Sequence, residues 1–256
     1  MERIDWELFS DSHARISEKI LELKRGLDEN VHRHIQRGFW MRLGMMESAI
    51  TTFDAKIGNS TKPLSNYLVF ELSLLLNGYY LNLVGSFDNL AWALTYHHKL
   101  LEQIDEDNNQ HRHFANISGN KFLKKLRDNK LNQLADKLET NKDWLAEVKK
   151  FRDPAAHRIP LYIAPSQYSQ EDLQKRKSLD EMAAKLTKEG NHFESASLTY
   201  QIEQLGTHLP YFFTQSSDPI GYFLPKQINE DHKNWLKLVK AIFEFGFNAK
   251  ITINVA

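Results

Sequence analysis

Apolar positions recur with helical spacing through most of the chain. Ile16, Ile20, Leu23, Leu27, Val31 and Ile35 lie four, three, four, four and four residues apart, a single stripe on a helix. Phe39, Trp40, Leu43, Met46 and Ile50 continue that face, so 10–53 reads as helical. Gly26, Gly38 and Gly44 weaken it locally, leaving one kinked helix or two. A loop over 58–63 follows. The strongest element covers 68–94, where Leu68, Leu72, Leu75, Leu76, Tyr79, Leu83, Leu90 and Leu94 keep to one face. Phe70, Leu74, Tyr80, Leu81, Val84 and Phe87 cover much of the rest. A helix apolar nearly all round is a central one, covered by neighbours or by another subunit. Its 68–87 stretch is long enough to cross a bilayer, but Glu71, Asn77, Asn82 and then Asp88 interrupt it, so burial in protein is the expectation.

The pattern then becomes mixed. Leu123, Leu126, Leu131, Leu134 and Leu138 predict a helix over 121–138, and Trp144, Leu145, Val148 and Phe151 a short one after the turn at 141–143. Residues 159–168 read as extended. Ser169 and Asp172 form a capping box before a charged helix to about 188. Strand character over 198–205 and 209–214, with Gly206 between, suggests a small hairpin. Trp235, Leu238, Val239, Ile242 and Phe245 mark a last helix over 230–245, and 251–255 reads as a short strand. The expected architecture is one mainly all-α domain over 1–256, with a mixed insertion at 160–228 before the last core helix.

Composition narrows the chemistry. The 256 residues include 33 Lys and Arg against 33 Asp and Glu, so a general polyanion binder is not expected and any nucleic-acid contact must come from a local basic patch. The absence of cysteine excludes disulfides, thiolate metal centres and a thiolate nucleophile, and fits a reducing compartment. Met1-Glu2-Arg3-Ile4-Asp5 has no apolar run of the kind a signal peptide needs, so a cytoplasmic location is expected, with no membrane partner.

The most informative stretch is Lys149-Lys150-Phe151-Arg152-Asp153-Pro154-Ala155-Ala156-His157-Arg158. Proline disfavours a helical residue before it, aspartate caps helices well, and proline suits a first helical turn. Asp153-Pro154 is therefore expected to end one helix and begin another. That break matters, because five residues on a continuous helix rotate by about 140°. With the break, Arg152 and His157 are free to face a common site. An imidazole can accept a proton from an attacking hydroxyl or return one to a leaving oxygen, and a guanidinium matches phosphate oxygens. No metal or cofactor is needed. Lys149, Lys150 and Arg158 add positive charge for backbone phosphates. A plain structural alternative stands beside this. In it Asp153 caps a turn, Arg152 pairs with an acidic neighbour, and His157 bonds a backbone carbonyl.

Arg152-Asp153-Pro154-Ala155-Ala156-His157 resembles the Arg-(Asn/Asp/His)-x-x-x-His form of the motif of the HEPN superfamily (higher eukaryotes and prokaryotes nucleotide-binding domains). Leu83-Val84-Gly85-Ser86-Phe87-Asp88-Asn89-Leu90-Ala91-Trp92-Ala93-Leu94 is similar to the central helix of uncharacterised bacterial HEPN-like proteins, and Ala156-His157-Arg158-Ile159-Pro160-Leu161-Tyr162 resembles one such group. The resemblance covers about 60–165. It implies a helical bundle that forms a homodimer with the two motifs meeting across the axis. It also implies a metal-independent endoribonuclease in which the ribose 2′-hydroxyl attacks the adjacent phosphate. Carried over, Arg152 stabilises phosphate charge, His157 is general base or acid, and Asp153 orients the histidine or caps the turn. Such proteins serve toxin–antitoxin or phage-defence systems, so RNA, a second copy and an antitoxin or other regulatory protein are the implied partners. The alternative is a non-catalytic helical dimer that binds RNA or a protein.

Other features read as structural. His97-His98, His32 with His34 and His111 with His113 are one or two residues apart, spacings that diverge on a helix and do not make a zinc pair. Asp88 either bonds Trp92 or Tyr96 one turn on, or faces the motif. Lys121, Lys124, Lys125, Arg127 and Lys130 read as a solvated helix face. There is no phosphate-binding glycine loop, nucleophile elbow or His-Glu-x-x-His.

Overall fold

The computed structural model describes residues 3–23, 26–57, 61–157, 160–214 and 219–252, and for 154–157 the helical backbone alone. The fold is mainly all-α, 73% helical, with three short strands among the described residues. The order is α1 (Trp6–Leu23), α2 (Glu29–His32), π1 (Arg33–Trp40), α3 (Met41–Ile57), α4 (Asn66–His97), α5 (Asn109–Phe114), α6 (Asn120–Asp128), α7 (Asn132–Thr140) and α8 (Lys142–His157). Then come β1 (Tyr162–Ile163), α9 (Gln170–Lys188), α10 (His192–Glu203), β2 (Tyr211–Phe213), β3 (Gly221–Phe223), α11 (Leu224–Ala241) and π2 (Ile242–Gly246).

Helix α4 is the axis of the fold, packed by α3, α8, π1, α2 and β1. Leu72, Tyr79, Tyr80, Leu83, Leu90 and Leu94 are fully buried along it. It is long and apolar enough to cross a membrane, yet half of its most apolar window lies inside the protein. Its first turns are less covered than expected, with Tyr67, Phe70 and Leu74 exposed. The polar residues that interrupt the apolar run are satisfied. Asn77 donates to the carbonyl of Leu161 and accepts from its N–H, both at 3.0 Å, so its amide stands in for a strand beside the chain that leaves α8. Arg42 on α3 donates to Asn89 (2.9 Å) and Asn82 (3.2 Å), lying across Gly85, where a Cβ would meet its guanidinium carbon at 2.5 Å. A side chain there would displace the Arg42 guanidinium from Asn82 and Asn89.

Helix α11 closes the core. Trp235 stacks on Phe39 with ring centroids 6.0 Å apart and donates to Ser86 on α4. Beside it, buried Asp231 accepts from Tyr80 (2.9 Å), Trp144 (2.8 Å) and Gln227 (3.1 Å), joining α4, α8 and α11. Burial pushes its carboxyl up to about 6 against those three donors. His232 stacks on Phe9 at 3.5 Å and pairs with Ser12, and burial holds its imidazole well below the usual range, with His13 adding to the effect.

Several sequence expectations change. The helical region 10–53 is several elements: α1 and α3 are separated by α2 and π1, with residues 24–25 outside the described structure. The 121–138 helix is divided, with Lys130 in the left-handed region (φ 63°) between α6 and α7. Residues 198–203 belong to α10, so no strand forms there. β2 instead pairs antiparallel with β1 on one side and β3 on the other. The apolar spacing at Leu198 and Ile202 is one helical turn, and the packing of α10 on α9 decides between the two readings. The last helix begins at Leu224, because Pro225 suits a first turn, so the mixed segment ends at 223 and not 228. Residues 251–252 form no strand, and 253–255 lie outside the described structure. The Ser169–Asp172 capping box is present and starts α9.

The largest change concerns Asp153-Pro154. No break occurs, and α8 runs unbroken through Pro154 to His157. Leu145, Val148 and Phe151 are fully buried upstream, and this packing outweighs the local preference of Asp153 for extended backbone. Pro154, without an N–H, forgoes the helical bond to the Lys150 carbonyl, a cost this packing also outweighs.

Asn77→Leu strands a buried N–H and carbonyl at Leu161, and denaturant unfolding should show a loss of about 2–4 kcal/mol. His232, kept neutral when folded but protonated near 6.5 when unfolded, makes stability fall as pH drops through that value. Asp231 acts in the opposite sense, between about 6 and the usual carboxylate range. Unfolding free energy measured from pH 7 to 5 should therefore decline for the wild type, and the slope should be shallower by about 1 kcal/mol per pH unit in His232→Gln.

Candidate functional site

A cavity of about 550 Å³ opens where α4, α5 and α8 meet. Asp88 and Trp92, one turn apart, line it from α4. Lys149 and Arg152, three apart on one face of α8, line it opposite. Glu106, Arg112, His113 and Asn116 complete the wall from α5 and its flanking turns.

Each group has a local reason for its place. Phe151 and Val148 bury the inward face of α8, which turns Lys149 and Arg152 to the cavity. Lys149 donates to Asn116 (2.8 Å) and Ser118 (2.9 Å), tying α8 to the turn after α5. Burial lowers its ammonium below the usual lysine range, against the pull of Asp88. Asp88 is raised by burial, an effect opposed by Arg152, Lys149 and Arg42, three cations from α8 and α3. Arg152 Nε lies 2.8 Å from Asp153 Oδ1, but the N–H is not aligned on that oxygen, so the pair is ionic and leaves Nε–H without an acceptor.

Behind Trp92 lies a second polar cluster. Glu106 accepts from Tyr96 (2.7 Å), contacts His34 (3.1 Å) and pairs with Arg33. Burial would raise its carboxyl, but Tyr96 and His34 hold it below the usual range. Tyr96 is pushed up to about 12 by burial and by that carboxylate. His34 and Arg33 reach it from π1, a helix type found often at functional sites. The whole cluster fixes Glu106, and with it the approach of α5.

The residues singled out in the sequence are only partly brought together. Arg152 and Lys149 share the cavity. Lys150 does not: it is exposed and pairs with Glu147 at 2.9 Å. Asp153 is exposed beside Arg152, which is the acidic pairing of the plain structural alternative. Position 157 closes α8, about 140° round the axis from 152, so helix phase does not bring the two together within one protomer. The His157 side chain and Arg158 lie outside the described structure. Arg112, His113 and Glu106 were not legible as site residues, because the polar run around them reads as loop. Asp88 was, as a charge inside an apolar helix. His98 bonds the carbonyl of Gly246 and His111 lies beside Asp105, both structural contacts. Arg127 is engaged by Asp136 and Glu139 on the solvated face. Among the described residues, no three His, Asp or Glu gather in a metal-binding group.

The chain matches no protein-family model, no curated protein and no solved structure.

The arrangement offers three cations, from Arg112, Lys149 and Arg152, against two carboxylates in a recess open to solvent. Trp92 gives the recess an apolar wall. Lys149 is also the strut of the site. Lys149→Met should destabilise the fold by about 1–3 kcal/mol and raise amide exchange at 116–118, whereas Lys150→Met should stay within about 0.5 kcal/mol of wild type.

Proposed function

We propose that this protein is a metal-independent endoribonuclease of HEPN type, acting as a homodimer. The observation that carries the proposal is the convergence of Arg152 and Lys149 on one cavity, facing the half-buried carboxylate of Asp88, in the motif segment that resembles that superfamily. Arg152 stabilises the charge that builds on the phosphate, and Lys149 and Arg112 hold flanking phosphates. His157 transfers a proton. Because 152 and 157 are separated by about 140° of an unbroken helix, the working pair is Arg152 of one protomer with the partner subunit's His157. The substrate is single-stranded or looped RNA, since the 2′-hydroxyl must be free to align with its phosphate. The protein acts in the cytoplasm, in toxin–antitoxin or phage defence, under control of an antitoxin or other regulatory protein.

A second reading is favoured by the Arg152–Asp153 ion pair. In it the same cavity binds RNA or an acidic protein segment without cleavage.

Complementation tests the composite site. Arg152→Ala and His157→Ala should each abolish RNA cleavage in excess chelator. Refolded together in equal amounts, they should recover about a quarter of wild-type activity, since half the dimers are mixed and each then holds one intact site of two. No recovery would place the pair within one protomer. Full activity of Arg152→Ala alone would remove Arg152 from the site, and RNA binding without cleavage by the wild type would leave the binding reading.

A further inference from the structure

We propose that His113 is the general base of the site, acting in the same protomer as Arg152, with the partner subunit's His157 as the acid. This rests on the ribonuclease reading above and assigns its two proton transfers to different elements.

Three observations carry it. First, His113 lines the same cavity as Arg152 and Lys149, and it is exposed, so it exchanges protons freely with solvent. Second, its position is fixed from both sides. Asn108 caps α5 by accepting from the N–H groups of Gln110 and His111, and Arg112 is held by the Glu106 carbonyl (2.8 Å) and Asp107 (3.1 Å). Lys149, three residues from Arg152, donates to Asn116, three residues from His113, so the two sides of the cavity are joined by a side-chain strut. Third, α8 is unbroken, so position 157 is not in phase with Arg152, while among the described side chains the imidazole that shares the Arg152 cavity is that of His113. Among the other histidines, His34 is engaged by Glu106 behind Trp92, and His98 and His111 make the structural contacts described above.

The imidazole of His113 takes the 2′-proton as the 2′-oxygen forms a bond to phosphorus, and Arg152 stabilises the charge on the non-bridging oxygens. The bond from phosphorus to the 5′-oxygen breaks, and that oxygen takes a proton from the imidazolium of the partner subunit's His157. The products are a 2′,3′-cyclic phosphate and a 5′-hydroxyl. One proton is taken and one given, and both histidines return to their starting states through water.

The test is cleavage of a fluorophore-labelled single-stranded RNA by the full chain, with kcat and KM followed against pH. His113→Ala should lower kcat about 10²–10⁴-fold with KM within a fewfold, and should lose the acidic limb of the rate profile. His157→Ala should lose the alkaline limb instead. A His113→Ala protein that cleaves at the wild-type rate, while Arg152→Ala is inactive, overturns this assignment and leaves the ribonuclease reading intact. A rise in KM alone makes His113 a binding group and also overturns it. Wild type and Arg152→Ala alike in rate, including no cleavage by either, overturns both readings. His113 is at the surface, so thermal unfolding of His113→Ala at the wild-type temperature verifies that the comparison is between folded proteins.

Discussion

The site depends on a single constraint: an apolar helix of 32 residues, α4, must bury its surface while keeping a few polar side chains that cannot be left unpaired. Burial fixes which faces α3, α8 and α11 cover. The polar positions then fix where each neighbour sits along the axis. Asn77 holds the chain that leaves α8, Asn82 and Asn89 hold Arg42, Ser86 takes the Trp235 N–H, and Asp88 draws the cations of α8. Apolar packing tolerates sliding by a turn, but a two-way amide pair with one residue does not. The geometry of the cavity is thus set largely by hydrogen bonds made on the far side of the helices that line it.

The charge arrangement has the same origin. Asp88 is a carboxylate that burial disfavours and three cations favour. Those cations are in turn kept close together, at a mutual cost that Asp88 offsets. The recess therefore holds Lys149 and Arg152 side by side where an anion can reach them. A second carboxylate, Glu106, is tied to Tyr96, His34 and Arg33, and so anchors α5 without neutralising the opposite wall. Charge that is positioned before a ligand arrives needs no rearrangement when one binds, which is the condition for stabilising a crowded phosphate.

Much of this was legible in the residues. The stripe through α4, the capping box at Ser169 and the mainly helical class follow from periodicity and capping chemistry that act locally. Asp88 announced itself as a charge in an apolar run. What misled was also local: Asp153-Pro154 has a strong short-range preference and 198–205 has strand character, which burial of Phe151 and the packing of α10 on α9 override. The α5 wall was not legible, because it is placed by long-range contacts, Glu106 with His34 on π1 and Asn116 with Lys149 on α8. The mixed segment at 160–223 likewise takes its strand order in part from a pairing across a long separation, that of β1 with β2.

The central claim is that the recess between α4, α5 and α8 receives RNA. Hydrogen–deuterium exchange of the full chain, with and without a single-stranded RNA carrying 2′-deoxy substitutions so that it cannot be cut, addresses it most directly. Slower exchange concentrated at 106–116 and 145–152 is the predicted outcome. Protection confined to α9 and α10, or no change at any amide with saturating RNA, would contradict it.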